Sequence, residues 1–231
     1  MPVNRFFYDG DLVPRETISF SGEEAKHISR VLRLDEGDTV EVTNGKGKLA
    51  TGSITSISKH AVEAVLETTT EHTQTKEIHL WQALLRPSKL DLIVEKGTEL
   101  GVTHFHFFKA EHSEKDALNP HQQERLRTLA KGGCKQSGRL FVPELFFTTS
   151  VEEITGGFFG DISSDAPHIL TMDVSSVLHF VNGPESGFTE KEYSLFIEKS
   201  VKGVSLSDAV LRTETAAIVA AAFMQAVHYS A

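Results

Sequence analysis

The chain has 231 residues, of which 39% are hydrophobic and 24% charged, and it carries 32 Asp+Glu against 23 Lys+Arg for a formal net charge of -9. That much apolar material excludes a disordered chain, and no run of about 18 apolar residues is present to span a bilayer. The acidity excludes binding of nucleic acid through bulk positive charge, while leaving room for a local basic site.

A single cysteine, Cys134, excludes an intrachain disulfide. Together with an N-terminus that lacks a signal-peptide core, it gives the expectation of a cytoplasmic protein. The first seventy residues read as β. Thr39 to Thr43 alternates as a half-buried strand does, Asn44-Gly45 marks a tight turn, and Lys48 to Glu67 continues in short Thr/Ser/Ile/Val runs. One helix interrupts them, from Gly22 to Leu34, with Ala25, Ile28, Val31 and Leu32 on one face and Lys26, Arg30 and Arg33 outside it. Short strands with one helix suggest a small barrel. Residues 68–76 are polar and aperiodic and read as a linker.

From Glu77 onward the pattern alternates. Strands are expected at Ile78–Leu85, Val102–Phe108 and Val142–Thr148, and at least one lies within Ile169–Val181. Helices are expected at Pro87–Leu100, stopped by Gly101, and at Gln122–Ser137, Thr189–Ser200 and 213–228. Thr189-x-x-Glu192 has the form of a capping box, with Phe188 placed to staple onto Tyr193. Such alternation predicts an α/β domain with a mostly parallel sheet.

Three constellations could carry chemistry. The loop Val181-Asn182-Gly183-Pro184-Glu185-Ser186-Gly187-Phe188 lies between a strand and a capped helix, where open α/β sheets bind ligands. The segment Val204 to Ala216 contains Arg212-Thr213-Glu214-Thr215 at the start of a helix. Thr213 fits an N-cap and Glu214 the first turn, but Arg212 opposes the helix dipole and calls for an anionic or base partner. The third is a basic stripe, Arg127, Lys131, Lys135 and Arg139. The segment Glu124–Arg139 holds five cations against one carboxylate, a local charge of +4 in an acidic chain. Two weaker signals read as structural. His104 and His106 share a strand face but show no companion carboxylate or cysteine, so no metal is expected. Cys134 has no base to pair with, although Lys135 beside it would lower the pKa of an exposed thiol. Walker, Rossmann, Gly-x-Ser-x-Gly and zinc-finger patterns are absent from the sequence, which disfavours a dinucleotide oxidoreductase.

The motifs in order are Arg5-Phe6-Phe7 with His27 and Val31-Leu32-Arg33-Leu34, Lys96-Gly97-Thr98-Glu99-Leu100-Gly101-Val102, Gln136-Ser137-Gly138-Arg139, Gly183-Pro184-Glu185-Ser186-Gly187-Phe188 and Leu211-Arg212-Thr213-Glu214-Thr215-Ala216. This combination resembles the RsmE family, bacterial small-subunit ribosomal RNA uridine-N3 methyltransferases of the SPOUT class. The resemblance implies an α/β fold, with a PUA-like RNA-binding β-barrel over 1–72 and a SPOUT trefoil-knot methyltransferase domain over 73–231. It implies S-adenosylmethionine as cofactor, small-subunit ribosomal RNA or the small ribosomal subunit as partner, and a homodimer, with neither DNA nor membrane as partner. It places Val181, Gly183, Pro184, Glu185, Gly187, Leu206, Ser207, Val210, Leu211 and Thr213 at the cofactor and Arg212 and Glu214 at the reaction. It places Arg5, Arg30, Arg33, Arg127, Lys131, Lys135 and Arg139 on RNA phosphates. The chain departs from the family pattern at Ser186 and Ser207, where glycine is usual, and at His112-Ser113, where Arg-Ser is frequent. These departures support an alternative, a non-catalytic RNA-binding or ribosome-assembly factor with the same fold.

Overall fold

The computed structural model describes residues 4–163, 165–172 and 177–230. The chain divides into two compact units, Met1–Gln74 with Cys134–Val142, and Thr75–Gly133 with Pro143–Ala231.

The first unit is built on a five-stranded sheet. Its strands are β1 (Arg5–Phe7), β2 (Thr17–Ser21), β3 (Thr39–Thr43), β4 (Lys48–Ile57) and β5 (Ala61–Glu71), in the order β1-β3-β4-β5-β2. Only the β1–β3 pairing is parallel. The alternation expected at Thr39–Thr43 buries Val40 and Val42, which join Phe6, Phe20, Ile54 and Leu66 in one core. Two register shifts bend β4, between Thr51 and Gly52 and between Ile54 and Ser56. At the first, a Cβ on Gly52 would lie 2.4 Å from the Val65 carbonyl oxygen, so the bend requires glycine. The returning segment 134–142 pairs with the β3–β4 turn, Gly47 N–H donating to Leu140 O at 3.0 Å and Val142 N–H to Gly45 O at 2.9 Å.

Two expectations for this unit need correction. The helix does not run to Leu34. Helix α1 covers Gly22–Lys26 and passes into a wider π turn over His27–Val31, closed by Leu32 N–H to His27 O at 3.0 Å. The five-residue hydrogen bond adds a residue to the turn and rotates the next side chains off the core face. Ala25 and Ile28 are buried as expected, but Val31 and Leu32 are 68% and 38% exposed. The linker is also shorter than 68–76, because Thr68–Glu71 pair with Thr51–Lys48. A threonine run suits a strand edge whether or not it alternates in polarity.

The second unit carries a six-stranded, all-parallel sheet. Its strands are β6 (Glu77–Ala83), β7 (His104–Phe108), β8 (Glu144–Thr149), β9 (Phe158–Gly160), β10 (Val177–Asn182) and β11 (Lys202–Val204), in the order β11-β9-β10-β6-β7-β8. The helices are α2 (Pro87–Glu99), α3 (Pro120–Ser137), α4 (Glu190–Glu198) and α5 (Thr213–Ser230). Leu90, Ile93, Val94 and Gly97 of α2 are buried as a stripe, and Gly101 ends the helix at φ +89. Helix α5 packs on β6, β10 and α2. On the opposite face Phe188, Phe196 and Phe159 join Trp81 in a second core. The capping box of α4 is present, and the Phe188 and Tyr193 rings meet edge-on at 6.2 Å. Strands β9 and β11 were not expected, since three residues are too few for a periodicity to register. In the segment 169–181 the expected strand is β10, while 173–176 lie outside the described residues.

Chain order places β10 between the earlier β6 and β9, so strand order reverses beside β6. Replacing Gly52 by alanine should lower the stability of the first unit by about 1–3 kcal/mol through the clash with Val65. The check is the urea midpoint, with m unchanged; an unaltered midpoint would show that β4 can bend without glycine.

Candidate functional site

The reversal of strand order leaves a crevice at the carboxyl ends of the strands, where ligands of open α/β sheets bind. A cavity of about 630 Å³ occupies it. Three loops line it, through Gly160–Ser163, Ala166 and His168 after β9, Asn182–Phe188 after β10 and Val204–Leu211 after β11, with Thr213 and Ala216 of α5 closing one side. Of the residues expected at the cofactor, Gly183, Pro184, Glu185, Gly187, Leu206, Ser207, Val210, Leu211 and Thr213 line this cavity. Val181 does not. It is fully buried in the second core, because it is still a strand residue and its side chain points into the sheet face. The loop after β9, with Asp161 and His168, was missed because nothing in its sequence marks it.

A buried polar network fixes these loops. The Asn182 side-chain amide donates to Gln82 Oε1 at 2.8 Å and to the Thr213 carbonyl at 3.0 Å, and Gln82 Nε2 donates to Ala83 O at 2.9 Å. Asn182 is 3% exposed and Gln82 fully buried, so each of these groups depends on the others for its hydrogen bonds. Lys89, in the first turn of α2, adds a second tie. Its Nζ lies 3.2 Å from Glu185 and 2.9 Å from Glu214. Lys89 was also missed; a cation in the first turn of a helix opposes the dipole and was the signal available.

Glu214 is therefore not free. Burial pushes its pKa up, but the Lys89 ammonium, its own backbone N–H and Arg212 outweigh that and hold it below the usual 4.5. Lys89 is raised above 10.5, chiefly by Glu214. The pair is lost only as pH falls through the lowered Glu214 value or rises through the raised Lys89 value, so it persists through the neutral range. Arg212 is exposed and makes no ion pair among the described residues. Helix α5 starts at Thr213, so Arg212 rather than Thr213 holds the N-cap position, its carbonyl accepting from Ala216 N–H at 2.8 Å. Neither Ser186 nor Ser207 has a positive φ, and Ser207 Oγ accepts from Ala209 N–H at 3.2 Å. The Cβ each serine adds brings no backbone strain.

The expected RNA-facing cations fall into two groups. Arg30, Arg33 and Lys131 are exposed and unpaired among the described residues. Others are engaged within the chain: Arg127 with Glu124 and the Phe147 ring, and Lys135 with Glu24 at 2.6 Å. Arg5 is turned inward, with a side chain only 10% exposed, binding Glu41 at 2.8 Å and the Gly138 carbonyl. Its role as placed is to hold the returning segment rather than a phosphate. Arg139 is half-buried. Cys134 is buried, donates to Phe141 O at 3.0 Å and has its pKa pushed up to about 11 by burial, so Lys135 does not activate it. His104 and His106 do share a face, and the sheet adds His79 and His179 to them. Burial, reinforced by the neighbouring imidazoles, pushes His79 to about 4 and His106 to about 3.

Residues 72–225 match the family described as an RNA methyltransferase domain, and residues 20–67 match an RNA methyltransferase PUA domain. The ribosomal RNA small subunit methyltransferase E of Bacillus subtilis is 31% identical over 224 residues, covering 88% of each chain. A crystal structure of the same-named enzyme from Neisseria gonorrhoeae, bound to S-adenosylmethionine, superposes with a TM-score of 0.87 at 27% identity, covering 97% of each chain. A Legionella pneumophila methyltransferase in complex with that cofactor superposes at 0.88, with 25% identity and 98% of each chain covered. With the carboxyl-end cavity and the barrel-like first unit, these matches establish that the chain belongs to the RNA methyltransferase family with an N-terminal PUA domain, the family of ribosomal RNA small subunit methyltransferase E.

Proposed function

We propose that the protein methylates N3 of a specific uridine in small-subunit ribosomal RNA, with S-adenosylmethionine as donor, and that it works as a homodimer. The observation that carries the reading is the cavity formed by the three carboxyl-end loops. Its size suits a ligand of that class. Its lining supplies backbone groups for a heterocycle, the apolar Leu206, Val210 and Leu211, and the carboxylates of Asp161 and Glu185 for the ammonium of the amino-acid end. A Cβ on Gly183 would meet the Phe188 ring at 3.0 Å, so the first loop lies flat against its own helix start and leaves the cavity open.

S-adenosylmethionine, when bound, supplies a methyl group already activated on a sulfonium. The chain must position the uracil and help it lose the N3 proton. Arg212, exposed at the α5 N-cap and making no ion pair among the described residues, stabilises negative charge developing on the uracil oxygens. Glu214 is ionised at neutral pH and accepts the hydrogen bond from N3–H, passing the proton on to solvent as the N–C bond forms. Its lowered pKa makes it a weak base, so most of the assistance falls to Arg212. Lys89 keeps Glu214 and the Glu185 loop in register. The knotted threading implied by the family belongs to the same reading. The homodimer is supported by Ile162, Leu170 and Val210, which are 76%, 72% and 79% exposed around the cavity loops. RNA contact is assigned to Arg30, Arg33 and Lys131, with the paired cations Arg127 and Lys135 contributing by exchange of partners and the half-buried Arg139 beside them.

The function is tested by mass spectrometry of small-subunit RNA from a deletion strain. One N3-methyluridine should be missing and should return with the wild-type gene. Arg212→Ala should fail to restore it while binding S-adenosylmethionine with near-normal affinity. An intact methyluridine in the deletion strain would overturn the assignment, and full restoration by Arg212→Ala would remove that residue from the chemistry. For the RNA surface, Arg30→Ala with Arg33→Ala should flatten the slope of log K against log[salt] by about 1.5, close to one phosphate each. Arg5→Ala should leave the slope unchanged and lower stability instead. The reverse pattern would relocate the footprint.

A further inference from the structure

We propose that Glu77, His79 and His104 form a divalent-metal site of the zinc class, on the face of the parallel sheet that carries Trp81. Each offers one ligand atom, and the three atoms lie within 4.8 Å of one another. The sheet register creates the set. His79 of β6 pairs directly with His104 of β7, and Glu77 precedes His79 by two residues on the same face.

Hydrogen bonds decide which nitrogens are available. Thr103 Oγ1 donates to Ile78 O at 3.0 Å and accepts from Ile78 N–H at 2.8 Å. Its one proton is used, so at 2.8 Å from His104 Nδ1 it must accept. His104 is thereby the Nδ1–H tautomer, with a bare lone pair on Nε2. A metal-binding histidine is typically oriented by such a bond from its other nitrogen. His79 Nδ1 lies 3.0 Å from His106 Nε2, which leaves His79 Nε2 for the Glu77 carboxylate 3.3 Å away. The His79 and His104 rings stack at 4.1 Å and 2°, so their in-plane lone pairs run parallel, and sharing one metal requires the two rings to tilt toward each other.

Two imidazoles and a carboxylate, with water as fourth ligand, are a zinc donor set, and metal–ligand distances near 2.0–2.1 Å put ligand atoms about 3.4 Å apart. The three donors therefore need to draw in by about 1.4 Å at most. The site lies four to six residues, about 13–20 Å, before the carboxyl ends of β6 and β7 and the cavity. It clamps β6 to β7 and takes no part in methyl transfer.

The full chain is titrated with Zn2+ against a chromophoric chelator and with Co2+ followed by absorption. One Zn2+ per chain should bind, Co2+ should give a four-coordinate spectrum, and Glu77→Gln and His104→Gln should each weaken Zn2+ binding at least tenfold. Glu77 is exposed at the sheet end, so Glu77→Gln should keep the metal-free melting temperature of the wild type even if His104→Gln does not. No stoichiometric binding at about 100 µM Zn2+, or equal affinity in wild type and Glu77→Gln, overturns the site.

Discussion

The Asn182 side-chain amide is the point on which the cavity at the carboxyl ends of the strands depends. It sits at the carboxyl end of β10 and is almost fully buried, and its two donated hydrogen bonds reach Gln82 on β6 and the Thr213 carbonyl at the start of α5. A buried amide left without partners costs about 1–3 kcal/mol, so the three elements are held in one arrangement. The cavity loops hang from that arrangement. The first begins at Asn182 itself, and the third ends at Leu211, two residues before the carbonyl that Asn182 holds. Lys89 repeats the tie at the rim, joining Glu185 of the first loop to Glu214 of α5. A strand inserted between two earlier strands thus becomes the place where the site is assembled.

The charge distribution follows a similar logic of pairing. A net charge of -9 disfavours indiscriminate contact with polyanions. Most of the cations in the basic α3 region are met by carboxylates within the chain, among them Arg125 by Asp91 and Lys135 by Glu24. Among the described residues, Arg30, Arg33 and Lys131 are the members of the expected RNA surface left exposed and unpaired. The π turn puts Val31 and Leu32 at the surface between two of them, giving that segment apolar as well as basic contact area. A small number of free cations on an acidic protein favours a shaped RNA site over an arbitrary one.

Much of this was legible in the residues. The α2 stripe, the α4 capping box and the turn between β10 and α4 each carry a local signal, namely a 3.6 period, a Thr-x-x-Glu and the pair Gly183 and Gly187, and all three elements appear where expected. The features that escaped were set by long-range pairing. Val31 follows the helical period in sequence, yet a single five-residue hydrogen bond turns it outward. The return of Cys134–Val142 to the first unit rests on backbone bonds to a turn some ninety residues earlier, which no local pattern encodes. Lys89 gains meaning only once α5 lies beside it. His79 and Glu77 gain theirs only from the register of β6 against β7.

Hydrogen exchange of the full chain with and without S-adenosylmethionine tests the central claim most directly, because it reads the three carboxyl-end loops separately. Protection should rise in 160–168, 182–188 and 204–213, and should stay unchanged in the first unit. Asn182→Ala should reduce that protection in all three loops together. Protection appearing elsewhere, or an Asn182→Ala protein whose loops respond like the wild type, would contradict the account of how the site is built.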